Sequence, residues 1–505
     1  MGAHMKMVKS LLLGTAAGLV AVAGAQAADM PVKAAPVQYV KICSLYGDGF
    51  YYIPGTDTCL KMGGYVRVQG EYNAGSGGVS IGNLTSEAPQ ARFARDVTND
   101  FNYRVRGAIS WDVRQQTEYG TLRTYIRFGA ENTTPANTGG GTTFNPFWDR
   151  AFIQFAGFTV GRSQSFFDLF TYGGGMSYHS VRTSGDTGAT GQNLWAYTAQ
   201  FGNGFSATLS LEDPATRKQG TLDANAPGFW APNGAVLLDS AFAANAGGFG
   251  FRMPDIVVNG RVDQAWGFAG VSAAIHDASG GYYSTATSVI GGVNNVNNGH
   301  PADKIGWAVA AGACFNLPGG DSFGVNACYT EGAPGYCNGL SAYSFYNAST
   351  SIGLGWSNDA VFAINPAGAS EVELTRSWSA LTGYQHIWNP RWRTAFFGGY
   401  VAIEYNSNAR DIICANRANI TILAAAQPVG FNCAPNHSFY EIGTRTQFNP
   451  VAQLDIGLEL LYTHVNTAFK GPGLTVVNAP RPAVTLIDDQ GVWSAMLRWQ
   501  RNFFP

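Results

Sequence analysis

The sequence predicts an all-β protein: a 16-stranded antiparallel transmembrane β-barrel with short periplasmic turns and long outer loops. Three observations predict it. Apolar and polar residues alternate with period 2 in repeated runs, short and long connections exchange regularly between those runs, and the chain is poor in charge without being greasy.

Composition sets the frame. Of 505 residues, 64 are glycine, 13% are aromatic and only 13% are charged, where globular chains carry roughly 25% charged residues. Mean hydropathy is close to zero, the average expected of a surface that meets lipid on one side and water on the other. No mature segment holds about 18 consecutive apolar residues, so a membrane-spanning helix is not expected. Formal charge is −2, or −4 once Lys6 and Lys9 leave with a leader, which excludes the basic footprint of a nucleic-acid binder.

The start reads as a secretory signal. Lys6 and Lys9 form a basic region, Leu11 to Ala23 an apolar stretch, and Ala25-Gln26-Ala27 an A-x-A cleavage site. The competing reading is a short buried helix. Residues 1–27 are therefore expected to be a signal peptide, with 1–4 a cloning remnant. Residues 28–64 are expected to form an N-terminal periplasmic segment holding Cys43 and Cys59, and 65–505 the barrel.

The alternation is clearest from Phe101 to Asp112. Phe101, Tyr103, Val105, Gly107, Ile109 and Trp111 share one face; Asn102, Arg104, Arg106, Ala108, Ser110 and Asp112 share the other. Leu122, Ile126 and Phe128 oppose Arg123, Arg127 and Glu131 in the next run, and the runs at 205–212, 454–462 and 493–500 repeat the pattern. Strands are expected to start near 65, 101, 121, 148, 160, 193, 205, 255, 266, 304, 322, 373, 391, 437, 451 and 491. Those near 160, 266 and 391 show weak polarity contrast and rest on spacing.

Turn-forming residues mark the short connections: Tyr119-Gly120, Phe158-Thr159, Asn203-Gly204, Gln264-Ala265, Pro318-Gly319-Gly320, Asn389-Pro390 and Asn449-Pro450. The long ones cover roughly 73–100, 132–147, 168–192, 213–254, 277–303, 332–372, 407–436 and 466–490. A soluble sandwich has shorter strands and lacks this rhythm, and no repeat at propeller spacing is present. Tyr65, Trp111, Trp148, Trp195, Trp388, Trp392, Tyr462 and Trp499 lie near strand ends, as interfacial aromatic girdles require.

The chain has 7 cysteines, compatible with an oxidising compartment. Cys43 is expected to pair with Cys59, and Cys414 with Cys433, the alternative being buried thiols. Cys314 and Cys328 lie on neighbouring strands and Cys337 is the odd one. No Cys/His group has zinc-site spacing.

Parity turns Arg67, Arg104, Arg106, Arg123, Arg127 and Arg150 toward water on successive strands, a basic patch on one wall, and Arg162 is assigned to the same lumen. The third long connection carries Asp168 and Asp186, with His179 and Arg182 between them. A basic wall facing an acidic loop would set a transverse field across a constriction; the plainer reading is solvated lumen residues. Gly320-Asp321-Ser322-Phe323-Gly324 fits the G-x-S-x-G hydrolase pattern, but it sits at a turn and runs into an alternating strand instead of a helix. The histidines are scattered, with no H-E-x-x-H.

Val40-Lys41-Ile42-Cys43, then Gly47-Asp48-Gly49-Phe50-Tyr51-Tyr52-Ile53-Pro54-Gly55-Thr56-Asp57-Thr58-Cys59-Leu60 and Gly63-Gly64-Tyr65-Val66-Arg67, resemble the opening of the alphaproteobacterial general porins, as does Ala28-Asp29-Met30-Pro31. Arg150-Ala151-Phe152-Ile153-Gln154-Phe155 with Val160-Gly161-Arg162 resembles the strand–turn–strand preceding the inward-folded third loop of porins. Leu497 to Phe503 resembles the terminal strand read by the barrel-insertion machinery, although Pro505 follows Phe504 where porins end on an aromatic residue. The resemblance implies a homotrimer in contact with outer-membrane lipid and lipopolysaccharide, with no cofactor. It implies a passive, water-filled channel for small hydrophilic solutes and ions in the outer membrane, and not an enzyme. The alternatives are a solute-selective channel with a saturable site, which a row of lumen aromatics would favour, and an outer-membrane enzyme, which would need a Ser/His/acid set.

Overall fold

The computed structural model describes residues 41–72, 101–134, 143–169, 176–178, 187, 191–225, 250–283, 299–338, 342–346, 351–365, 368–417, 429–472 and 486–503. Its main sheet has 17 strands, of which the two-residue Tyr51–Tyr52 is an appendage. The others are barrel staves: β1 Cys59–Tyr72, β2 Phe101–Thr117, β3 Gly120–Thr134, β4 Thr143–Phe155, β5 Phe158–Ser163, β6 Gln192–Gly202, β7 Phe205–Glu212 and β8 Asp255–Gln264. They continue as β9 Gly267–Asp277, β10 Ile305–Asn316, β11 Ser322–Glu331, β12 Arg376–Asn389, β13 Trp392–Glu404, β14 His437–Phe448, β15 Leu454–Asn466 and β16 Gln490–Phe503. Each pairs antiparallel with its sequence neighbours. The ring closes because β1 pairs with β2 on one edge (Arg67↔Arg106) and with β16 on the other (Val66↔Arg501). Closure leaves no unpaired edge, so every stave can sit in lipid with its backbone bonded.

The alternation is what orients each stave. In β2, Tyr103, Val105, Ile109 and Trp111 are 47%, 42%, 41% and 38% exposed on the outer face, while Arg104 and Asp112 are 5% and 9% exposed on the inner. The tight turns use left-handed backbone: Ala156-Gly157 and Asn203-Gly204 both have two successive positive φ angles (49° and 88°, 49° and 77°), the geometry that two-residue hairpins need.

β1 begins at Cys59, earlier than the expected Tyr65, because Cys59 to Gly64 continue the ladder with β2 from Arg114 to Ile109. Below the end of β16, Tyr51–Tyr52 pairs with Leu60 and Cys59 and takes over that edge. The result is a knob of residues 41–58, closed by the Cys43–Cys59 disulfide around Phe50. Cys414 on helix α1 (Ser407–Ala415) is bonded to Cys433. A third disulfide, unforeseen from sequence, joins Cys328 on the inner face of β11 to Cys337 in the following loop, and Cys314 remains a thiol.

Candidate functional site

The inner face of β1 to β4 brings the arginines side by side. Arg67 faces Arg106, Arg114 faces Arg123, and Arg127 faces Arg150 across the strands. Carboxylates interleave with them. Glu131 pairs with Arg104 and lies 3.6 Å from Arg106. Asp149 accepts from Arg127 at 2.8 Å and lies 3.7 Å from Arg106. Asp112 accepts from Arg114 at 2.8 Å and Arg123 at 2.9 Å. Each of these three carboxylates is thus shared between two arginines, while Glu71 on the inner face of β1 accepts from Gln69, and the arginines outnumber the carboxylates. Arg114, Arg123 and Arg127 keep 27%, 28% and 29% of their side chains open to water.

Asp149 and Arg114 were missed from sequence. Simple alternation would send Asp149 to the lipid face beside Arg150. A β-bulge where Arg127 faces Arg150 but Phe128 faces Trp148 leaves Asp149 as the extra residue and re-aims its carboxylate inward. Arg114 lies two residues beyond the Phe101–Asp112 run from which the wall was read.

The opposite wall is covered by the third loop. From β5 the chain runs inward, and Ser272 of β9 donates to the Phe167 carbonyl at 2.7 Å. Leu169 then lies against Gly270 of β9 and Gly312 of β10. Met176 packs on Leu381, Ala395, Phe397 and Leu461, with Phe268 and Cys314 beside them. Ser177 donates to Glu459 Oε1 at 3.0 Å, and the Tyr178 N–H to Glu459 Oε2. Arg498 lies 4.1 Å over the Tyr178 ring, and its Nη2 donates to the Tyr178 carbonyl at 2.9 Å. Glycines make the seats: side chains at Gly383 and Gly457 would run into Met176 and Tyr178. The described loop residues are therefore seated on the inner face at two places, 167–169 on β9 and β10 and 176–178 on β12, β13, β15 and β16.

A second inward fold holds its root. Tyr336 meets Phe167 edge to face, with ring centroids 4.6 Å apart, and donates to Asp255 at 2.7 Å. Arg217, 2% exposed, pairs with Asp168 and donates to the Gly335 carbonyl at 3.2 Å.

Against known proteins, the family model for the porin subfamily matches residues 29–495. The chain belongs to the porin subfamily. It is 32% identical over 347 residues to porin Omp2a of Brucella melitensis biotype 1, covering 64% of this chain and 85% of the relative. It is 36% identical over 274 residues to porin Omp2b of Brucella suis, covering 53% and 66%. In fold it matches the outer-membrane channel DcaP of Acinetobacter baumannii, with TM-score 0.54 at 13% identity over 90% of this chain and 99% of the other. The porin is an outer-membrane diffusion channel for small solutes.

Two expectations about its lumen need correction. Arg162 is not in the porin's lumen: it faces Ala151 and Asn193, on the outward parity of Ile153 and Trp195, which are 51% and 71% exposed. There its Nε donates to the Trp148 carbonyl at 3.0 Å and its Nη1 to Asn193 at 3.1 Å. Asp168 does not project into the channel: its carboxylate, 1% exposed, is held by Arg217 and by the Thr187 N–H at 2.8 Å. His179, Arg182 and Asp186 lie outside the described residues. Ser322 opens β11 after the 318–320 turn and no helix follows it, so the geometry a nucleophile elbow requires is missing. Among the described residues no His/Cys/Asp/Glu group is arranged to hold a metal.

Proposed function

We propose that the porin's selectivity is set where the arginine wall of β1 to β4 faces the third loop docked on the far side, and that the channel favours anions. The excess of arginines over carboxylates on this wall, with Glu131, Asp149 and Asp112 each shared between two of them, carries this reading, because the surplus positive charge sits in a low-dielectric surround where fields extend further than in bulk water. The field arises from the wall itself, since Asp168 is neutralised by Arg217. Asp186 remains a proposed contributor to the loop side. We further propose that the chain is exported through the periplasm, handed to the barrel-insertion machinery, and works as a homotrimer among lipid and lipopolysaccharide, as a conduit without catalysis.

The test is the reversal potential of a planar bilayer under a salt gradient. Replacing Arg104 and Arg106 together by glutamine should shift it toward cations, more at low salt than at high, because screening acts over about 10 Å at 0.1 M. Channels with unchanged selectivity at every salt concentration would remove these residues from the constriction.

A further inference from the structure

The arginines of the wall do not stand alone: aromatic rings on the same inward parity alternate with them over its height. Toward the outer side, the Arg106 guanidinium lies 3.7 Å over the Phe147 ring and that of Arg67 4.9 Å over Tyr65. Midway, Tyr125 and Phe152 are cross-strand partners stacked at 5.4 Å, with Arg123 at 5.3 Å and 5.5 Å from their centroids. At the periplasmic exit, Arg114 sits 4.9 Å over Phe50 and 5.6 Å over Tyr46, both in the disulfide-closed knob. Arg114 and Arg123 are themselves cross-strand partners, so the lower two tiers adjoin.

The orientation of these guanidinium groups is fixed. Arg114 and Arg123 each grip Asp112 with two bonds, Nε to Oδ1 at 2.9 and 3.0 Å and Nη2 to Oδ2 at 2.8 and 2.9 Å. Bidentate pairing uses up the donor edge in the plane of the group. What a passing solute meets is then the open part of the Arg114, Arg123 and Arg127 side chains beside the half-buried Tyr65, Tyr125 and Phe147, while Phe50 and Phe152, 4% and 9% exposed, pack against the guanidinium groups. A surface of that kind attracts a planar π system carrying negative charge through both components. An anion without a flat face gains only the charge term. The far side holds one isolated pair of this kind, Arg261 over Phe268 at 3.9 Å with Asp263 gripping the guanidinium, but no series of them along its height.

We propose that this wall is a guanidinium–aromatic track that selects planar organic anions, aryl carboxylates above all, from among the solutes the channel admits. The proposal rests on the arginine wall being the pore lining. It adds that the rings discriminate by shape, and that the N-terminal knob carries the track to the periplasmic exit.

Benzoate and cyclohexanecarboxylate test it in the full channel, since they match in charge and nearly in size and differ in planarity. Reversal potentials in a planar bilayer give each permeability relative to chloride. Benzoate should exceed cyclohexanecarboxylate by about two- to fivefold, the range of a cation–π contact at a wet site. Tyr125→Leu combined with Phe152→Leu should lower the ratio toward one, the rings of the other two tiers remaining, while chloride-over-potassium selectivity stays, because no charge changes. Equal permeability of the two acids in the unaltered channel overturns the track, whatever the variants do. If that happens with anion selectivity intact, the arginine-wall reading stands alone. If the unaltered channel shows no anion preference, the wall reading fails first. A ratio left unchanged by the double substitution overturns the assignment to these rings.

Discussion

The inner faces of β1 to β4 and of β9 to β13 have the same parity in the same barrel, yet opposite chemistry. The first carries arginines, carboxylates and rings, with Arg114, Arg123 and Arg127 open in part to water; the second carries Phe268, Cys314, Leu381, Ala395 and Phe397, with glycines between, under Leu169 and Met176 of the third loop. The contrast teaches that the polarity of a barrel's inner face reports what covers it, not merely which way it points. An inner face that packs against an inserted loop becomes core, and its strands lose the amphipathic signature.

The largest effect that could break the comparison lies at the loop's root. Arg217→Met would leave the Asp168 carboxylate buried without its partner, a loss of about 3–5 kcal/mol for a buried pair. Urea unfolding in detergent should show it. Arg123→Gln on the open wall should cost less than about 1 kcal/mol, because water reaches the site and Arg114 still holds Asp112. Equal losses at the two sites would contradict the division into covered and open walls.

Next come the loop's seats. Gly383→Leu and Gly457→Leu intrude on Met176 and Tyr178, and overpacking of this kind costs about 1–3 kcal/mol. The loop should lift, and single-channel conductance should rise. Conductance at the native value, with the barrel inserted, would mean the loop does not narrow the channel.

A smaller change sharpens the open side. Asp149→Asn removes a charge shared by Arg106 and Arg127, so the reversal potential should move further toward anions. A move toward cations would show that Asp149 matters mainly by holding the arginines in place.

The smallest expected effect is at the periplasmic rim. Bonds from the Tyr384 hydroxyl, the His386 ring at 2.8 Å and the Ile387 N–H at 2.8 Å hold the Asp321 carboxyl down to about 2. A carboxyl lowered on folding stabilises the fold above its ordinary range near pH 4 and loses that contribution as pH falls toward 2. Asp321→Asn should flatten the acid limb of the stability profile in that window. An unchanged acid limb would show that this turn contributes nothing there.

Much of this was legible in the sequence, for physical reasons. Where lipid lies on one side and water on the other, period-2 alternation is forced, and the Phe101–Asp112 run shows both the strand and its orientation. The strands beginning at Gly267 and Trp392 had weak contrast because their inner faces pack under the third loop. Arg162 was misplaced because β5 is short and its parity is reset by the Ala156-Gly157 turn. Asp149 was hidden by a bulge, which single-strand alternation cannot register. The Asp168–Arg217 pair joins two inward-folded loops and the Cys328–Cys337 bond a stave to the loop after it, contacts that no periodicity encodes. The lumen aromatics were visible as residues, but only the strand register aligns Tyr125 with Phe152 and sets Arg106 over Phe147.

The central claim is that one inner wall keeps charged groups in reach of water and the other is covered. Cysteine accessibility tests it most directly. In a Cys314→Ser background, Ser110→Cys on β2 and Leu381→Cys on β12 are exposed in turn to a negatively charged, membrane-impermeant methanethiosulfonate during current recording. The account predicts prompt modification and a drop in anion current for Ser110→Cys, and no reaction for Leu381→Cys unless Gly383→Leu has first lifted the loop. Equal reaction rates at the two positions in the native loop state would contradict it.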